Sequence, residues 1–172
     1  MRRIFVFMSA AVLGASVAVL IAVMSAGSAF AADIPKEGPY GLTSCFSGVS
    51  NLIAFSKTHW ASTYEHTGTN LSNSPGGMFD KTSFRCVGMN TSFGGRNTDT
   101  SVCESIDKDG DKRLSYFSLA SDGKITREQV AGTGKYEGMV SSGTTTPLGP
   151  FPVMKAGTFG NCVRQTGTYK LK

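Results

Sequence analysis

Apolar and polar residues divide this chain into one unbroken apolar run near its start and a long remainder of short alternating segments. Residues 4–24 are apolar almost throughout. After residue 31 no window sustains a 3.6-residue apolar period, so little helix is expected. The remainder reads as strands. Leu42, Phe46 and Val49 alternate loosely, and Leu52, Ile53, Ala54 and Phe55 follow them. This predicts two strands over residues 42–59, broken near Ser50-Asn51. An extended segment over residues 60–71 carries Trp60, Tyr64 and His66 on one parity, with Thr63 and Glu65 on the other. Residues 72–77 are a loop by composition, and residues 79–89 form the next strand. Past Val130 the pattern predicts a strand over 139–146 and a break across Pro147–Pro152. A closing hairpin, 153–159 with 162–171, then turns at Gly160-Asn161. Residues 33–39, with Pro35 and Pro39, read as a mobile leader.

The centre is organised by three dipeptides, Gly94-Gly95, Asp109-Gly110 and Asp122-Gly123. Such pairs suit two-residue hairpin loops, whose central positions need positive φ. Their spacing leaves room for strands of ordinary length and little else. With the turn at Gly94-Gly95, Val87 faces Val102, Cys86 faces Cys103 and Arg85 faces Glu104. One assumption thus aligns an apolar pair, a thiol pair and an opposite-charge pair. Cys86 and Cys103 fall at a non-hydrogen-bonded position, where Cα atoms lie ~4.5 Å apart and a disulfide is within reach. Short sequential turns favour an all-β, antiparallel up-and-down β-barrel of about eight strands over a Greek-key sandwich.

The start of the chain sets the compartment. Arg2 and Arg3 lead into the apolar run, and Ala29 and Ala31 close it at A-x-A spacing. This is the layout of a secretory signal peptide cut after Ala31, with an uncleaved membrane anchor as the alternative. Residues 32–172 then form a single barrel domain, periplasmic or extracellular, with no stable membrane association after cleavage. Without residues 1–31 the charge is 15 basic against 12 acidic groups. The basic residues are scattered and form no run interleaved with aromatics, which argues against nucleic acid. Four cysteines in an oxidising space favour two disulfides. The hairpin register selects Cys86–Cys103 and leaves Cys45–Cys162, which would join the first strand to the last. No pair has CxxC spacing, so neither a redox motif nor a zinc knuckle is expected.

Two motifs fail on inspection. Asp107-Lys108-Asp109-Gly110-Asp111 starts like a calcium loop, but Lys112 stands where glycine is needed and Ser118 where the closing glutamate belongs. A hairpin tip is the better reading, with three carboxylates that could hold a cation weakly. Gly132-Thr133-Gly134-Lys135 is not a phosphate loop, because Gln129 and Tyr136 occupy its other required places. His59 and His66 differ in parity and have no ligand-spaced neighbours, so a structural or surface role is the default and no metal is expected. Asn90 opens a glycosylation sequon.

Residues 132–144, Gly-Thr-Gly-Lys-Tyr-Glu-Gly-Met-Val-Ser-Ser-Gly-Thr, resemble the allene oxide cyclase and dirigent-like barrels. Members carry a similar Gly-Thr-Gly-aromatic-x-Gly turn ahead of a Gly-x-Gly-Thr strand. The resemblance implies an eight-stranded antiparallel barrel with an apolar cavity, sometimes trimeric, handling oxylipin or phenolic ligands in plants. It implies that Tyr136 packs over one end of the barrel. None of the family's catalytic residues can be placed on matching positions, and the four cysteines depart from the plant enzymes.

The expectation is therefore a secreted barrel that binds a small apolar or amphipathic molecule without a cofactor, with a homo-oligomer compatible. Trp60, Tyr64, Arg85, Glu104 and Phe117 are the candidate ligand-binding residues, with no catalytic residue assigned. Arg85 and Glu104 share a face with Val87, Val102 and Ile106. That set either points inward or forms a solvent-facing cross-strand pair. Two alternatives stand beside ligand binding. One is an isomerase or cyclase in the same cavity, with Glu104 or Arg85 steering the substrate. The other is a filled barrel acting through its surface as a structural or protein-binding module.

Overall fold

A computed structural model describes residues 34–120 and 122–172, so the expected signal segment lies outside the described residues. Eight strands follow one another: β1 Glu37–Ser56, β2 His59–Ser72, β3 Thr82–Phe93, β4 Arg96–Ile106, β5 Lys112–Leu119, β6 Ile125–Gly132, β7 Val140–Pro150 and β8 Thr158–Lys170. Each pairs antiparallel with the next, and β8 returns to β1, closing the barrel. Among the described residues one 3₁₀ turn, Gly134–Tyr136, interrupts the strand sequence.

The central hairpin forms as its sequence predicts. Gly94 and Gly95 take φ of 62° and 80°, and Phe93 pairs with Arg96 across them. Cys86 then meets Cys103, Val87 meets Val102 and Arg85 meets Glu104. The other two expected two-residue loops are longer. In 107–111 the Asp107 amide donates to Asp111 O and the Gly110 amide to Asp107 O, both at 3.1 Å. Ala120 and Gly123 repeat that pattern before Lys124. Among the described residues of these two loops, only Gly110 and Gly123 adopt positive φ, at 85° and 82°. Each is a turn completed by one left-handed glycine, so the aspartate before it needs no special backbone.

Four segments expected as breaks, leader or turn lie wholly or partly in strands instead. β1 runs through Ser50-Asn51, which pair with Tyr64 and Thr63, and the chain turns at Lys57-Thr58. Glu37, Gly38 and Pro39 are not a loose leader, because they pair with Lys170, Tyr169 and Thr168. β7 continues through Pro147 to Pro150, with a register shift between Pro147 and Gly149. Pairing of β6 with β7 ends at Thr145, so these prolines have a partner on one side only and their missing amides cost the sheet little. Gly160-Asn161 lies inside β8 opposite Ser47 and Phe46. The last turn occupies residues 151–157 instead, where the Thr158 amide and hydroxyl both donate to Lys155 O.

An up-and-down barrel puts alternate connections at opposite ends. The β2–β3 and β6–β7 connections fold into one end and plug it. Met78 and Phe79 come from the first, Tyr136 and Met139 from the second, and they pack on Tyr40, Leu42 and Tyr169. Tyr136 is 2% exposed, packed over the barrel end as expected. Phe79 stands edge-on to Tyr40 with ring centroids 5.0 Å apart. A chain of hydrogen bonds ties this floor to the wall. Gln165 donates to Ser44, Ser44 to Asn70, Asn70 to Thr82, and Thr82 to the Phe79 carbonyl. The two rejected motifs meet beneath it. Lys135 Nζ lies 2.5 Å from Asp107 and 3.0 Å from Asp109, so the acidic turn already holds a cation supplied by the chain.

The opposite end is open. Its tips carry exposed Leu52, Ile53, Phe55, Phe93 and Met154. Among the described residues no helix is long and apolar enough to cross a membrane.

Candidate functional site

Between floor and mouth lies a cavity of about 520 Å³. It exists because the inward positions above the floor are small. Ser44, Ser50, Ser62, Ser101, Ser105 and Ser115 all face it, so an eight-strand barrel that larger side chains could fill is left hollow. Aromatic rings supply the rest of the wall: Phe46, Tyr64, Phe84, Phe117 and Phe159, with Trp60 nearer the mouth.

Three of the five expected ligand-binding residues, Trp60, Tyr64 and Phe117, face this space. Arg85 and Glu104 do not. They sit on the outer wall with side chains 61% and 54% exposed. Although opposite each other in register, they turn to other strands: Arg85 Nε lies 2.7 Å from Glu65, and Lys112 Nζ lies 2.8 Å from Glu104. The cause is strand periodicity. Cys86 and Cys103 face inward, which sends their neighbours outward. Val87, Val102 and Ile106 are exposed with them, so the apolar set that could have pointed inward lies outside.

Both expected disulfides form, each across directly paired residues with Cα atoms 4.1 Å apart. Cys86–Cys103 lies in the cavity wall, and Cys45–Cys162 joins β1 to β8. The two bonds fit an oxidising extracellular or periplasmic location. His66 comes close to the inner pair, with ligand atoms of His66, Cys86 and Cys103 all within 4.8 Å of one another. The sulfurs are bonded to each other, so they offer no thiolate to a metal.

His66, read from sequence as structural or surface, lines the cavity. It stacks on Phe46 at 4.2 Å and on Tyr64 at 5.6 Å between centroids. Burial holds its pKa down at about 4, so the ring is neutral at ordinary pH. His59 lies at the mouth, within hydrogen-bonding distance of the Ser56 and Thr58 hydroxyls. Asn90 of the sequon also faces inward, and its Oδ1 is buried.

Tyr64 lies along the wall over β3 and donates a 2.6 Å hydrogen bond to Asp99 on β4. Gly88 makes room for it, since a Cβ there would stand 2.5 Å from the ring. Burial, and then the bond to Asp99, push the Tyr64 hydroxyl well above its usual range. Burial also raises the Asp99 carboxyl, against the hydrogen bond that opposes it.

At the floor stand two further charges that the sequence did not single out. Arg113 and Arg127 are 4% and 3% exposed, and both line the cavity. Arg113 sits over Phe79, its guanidinium carbon 3.9 Å from the ring centroid. Arg127 lies 5.2 Å from the same ring. Their inward direction follows from the barrel register, because Ser115 and Phe117 share the parity of Arg113 on β5. The alternation of β5 alone is ambiguous, with Leu114 and Tyr116 on the other face.

Comparison with protein-family models, with curated proteins and with solved structures gives no match to this chain.

Proposed function

We propose that this chain is a secreted or periplasmic barrel that takes a small apolar or amphipathic molecule into its interior. The observation that carries this reading is the cavity of about 520 Å³, walled by aromatic rings and open at one end. Its size and lining are those of small-molecule sites in general. The resemblance of residues 132–144 to allene oxide cyclase and dirigent-like barrels, taken with the eight-strand closure, supports the same reading by analogy of fold. The filled barrel that a purely surface-acting module supposes is harder to reconcile with this space.

Trp60 is the single tryptophan of the chain and faces the cavity, so its emission reports occupancy. Titration with N-phenylnaphthylamine is expected to quench or shift that emission with saturation. Native mass spectrometry of protein from its own host is expected to show a retained small molecule. No spectral response together with no retained species would overturn the reading.

A second reading, a proton-transferring isomerase or cyclase, is favoured by one observation. Asp99, Tyr64 and His66 place a carboxylate, a phenol and an imidazole in one enclosed space. Arg85 and Glu104 take no part in it, since both are on the outer wall. Such chemistry would need Asp99 as the proton acceptor, because a carboxyl raised by burial is the better base. Asp99→Asn would then abolish turnover while leaving N-phenylnaphthylamine bound; unchanged turnover would remove this reading.

A further inference from the structure

Two guanidinium groups share the floor, and among the described residues neither touches a carboxylate; Asp107 acts on Arg113 only from beyond ion-pair distance. Among the described residues neither Arg113 nor Arg127 takes part in any ion pair. The carboxylates that could reach inward are engaged elsewhere: Asp107 is held by Lys135, and Asp99 accepts from Tyr64. Arg127 is fixed by neutral oxygens only, donating to the hydroxyls of Tyr40, Ser141 and Ser115 at 2.9, 2.7 and 3.0 Å. Arg113 is less well served. Its Nε and Nη1 are buried and have no hydrogen-bond partner.

A buried charge is costly unless it is paired and hydrogen-bonded, and two like charges in one enclosure repel besides. Its cation–π contact with Phe79 recovers part of this cost for Arg113, but leaves its in-plane donors unused. Replacing either arginine by an apolar residue would remove the cost and fill the floor. The arrangement makes physical sense if something negative completes it. Burial and the neighbouring Arg127 charge lower the Arg113 pKa to about 9, which still leaves it protonated at neutral pH. Unused planar donors suit a planar or tetrahedral oxyanion, which can take two parallel hydrogen bonds from one guanidinium.

We infer that Arg113 and Arg127 form the receptor for the oxyanion head of an amphipathic ligand, whose apolar body lies along the aromatic wall toward the mouth. This rests on the cavity-binding reading above and narrows it to carboxylates, sulfonates and phosphate esters with an aromatic or alkyl body. The order along the barrel axis sets the orientation. The head goes in first to the cationic floor, and the body extends past Ser44, Ser105 and Ser115 to the rings of Phe46, Phe117 and Phe159.

The test compares two probes with nearly the same aromatic body, one anionic and one neutral: anilinonaphthalene sulfonate and N-phenylnaphthylamine. Wild-type protein is expected to bind the sulfonate more tightly. Arg113→Gln is expected to weaken the sulfonate on the order of tenfold or more while leaving the neutral probe within about twofold. Neutral binding that persists, with the sulfonate no tighter and unaffected by Arg113→Gln, would overturn this inference and spare the cavity reading. Failure of both probes to bind would overturn the cavity reading itself. Arg127 anchors three strands through its hydroxyl partners, so its variants test folding as well as binding. A competition on the unaltered protein avoids that problem. Dodecanoate is expected to displace bound N-phenylnaphthylamine at lower concentration than dodecanol or dodecyltrimethylammonium, and equal displacement by the cation would overturn the inference.

Discussion

The two ends of this barrel are built on opposite plans. At the floor, bulky rings fill the section: Phe79, Tyr136, Tyr40 and Tyr169 interlock, and both arginines lie against them. Toward the mouth the inward residues alternate serine with single aromatics, and the tips carry side chains that nothing covers. The floor concentrates what holds the fold together. Phe79 even sits at φ 69°, a left-handed conformation that costs a bulky residue on the order of 1 kcal/mol or more and is offset by its burial. The mouth gives up packing and keeps space. A barrel of this size can therefore be rigid and hollow at once, provided the two demands fall at different heights.

That division can be broken or sharpened by substitution. The largest effect is expected at the floor: Phe79→Ala should lower unfolding free energy by about 3–5 kcal/mol, read as a drop in urea midpoint. A loss below about 1 kcal/mol would mean that the plug is not the structural centre. Removing the inner disulfide as Cys86→Ser with Cys103→Ser comes next. The bond spans 17 residues, a loop for which chain entropy assigns about 3 kcal/mol. Because the pair lines the cavity, the double variant should also alter probe affinity, whereas Phe79→Ala should alter stability first.

A smaller effect is expected from pH. His66 titrates near 4 in the fold and near 6.5 when free. Above pH 6.5 it contributes nothing, since both states are neutral. Between 6.5 and 4 only the unfolded chain takes the proton, so stability falls as pH falls across that window. Asp99 works against this at the acidic end, because its raised pKa lets the folded state take up a proton first. Urea titrations at pH 7 and pH 5 should show the loss, and His66→Phe, which keeps the stack on Phe46, should reduce it. The smallest change in stability belongs to the mouth. Trp60→Ala is expected to cost under about 1 kcal/mol while weakening N-phenylnaphthylamine severalfold. Equal losses at Trp60 and Phe79 would erase the contrast between the ends.

Much of the wall could be read from the chain, and little of its inside. The turn at Gly94-Gly95 specifies one hairpin register, and with it one disulfide directly and the other by elimination. What pairing cannot specify is which parity faces the centre. The ordinary cue is that apolar residues point in. It misleads here, because Val87, Val102 and Ile106 are outside while Ser101, Cys103 and Ser105 are inside. A hollow barrel that lines its interior with serines between the rings weakens that cue, which is why Arg85 and Glu104 were candidates while Arg113 and Arg127 were not singled out. The expected breaks at Ser50-Asn51 and Pro147 that are strand instead have a related origin. Each is a local turn signal overridden by a partner strand far away in sequence, Tyr64 and Thr63 for the first and Val163 for the second.

Cys45–Cys162 spans 117 residues and encloses every hairpin tip of the barrel. Hairpin tips are where proteases cut first. A nick at any one of them leaves two fragments that are still tethered by sulfur, so the damaged molecule keeps its parts together and can reclose. In an oxidising compartment, where the bond persists, such a clasp turns a severed backbone into an injury the fold can survive.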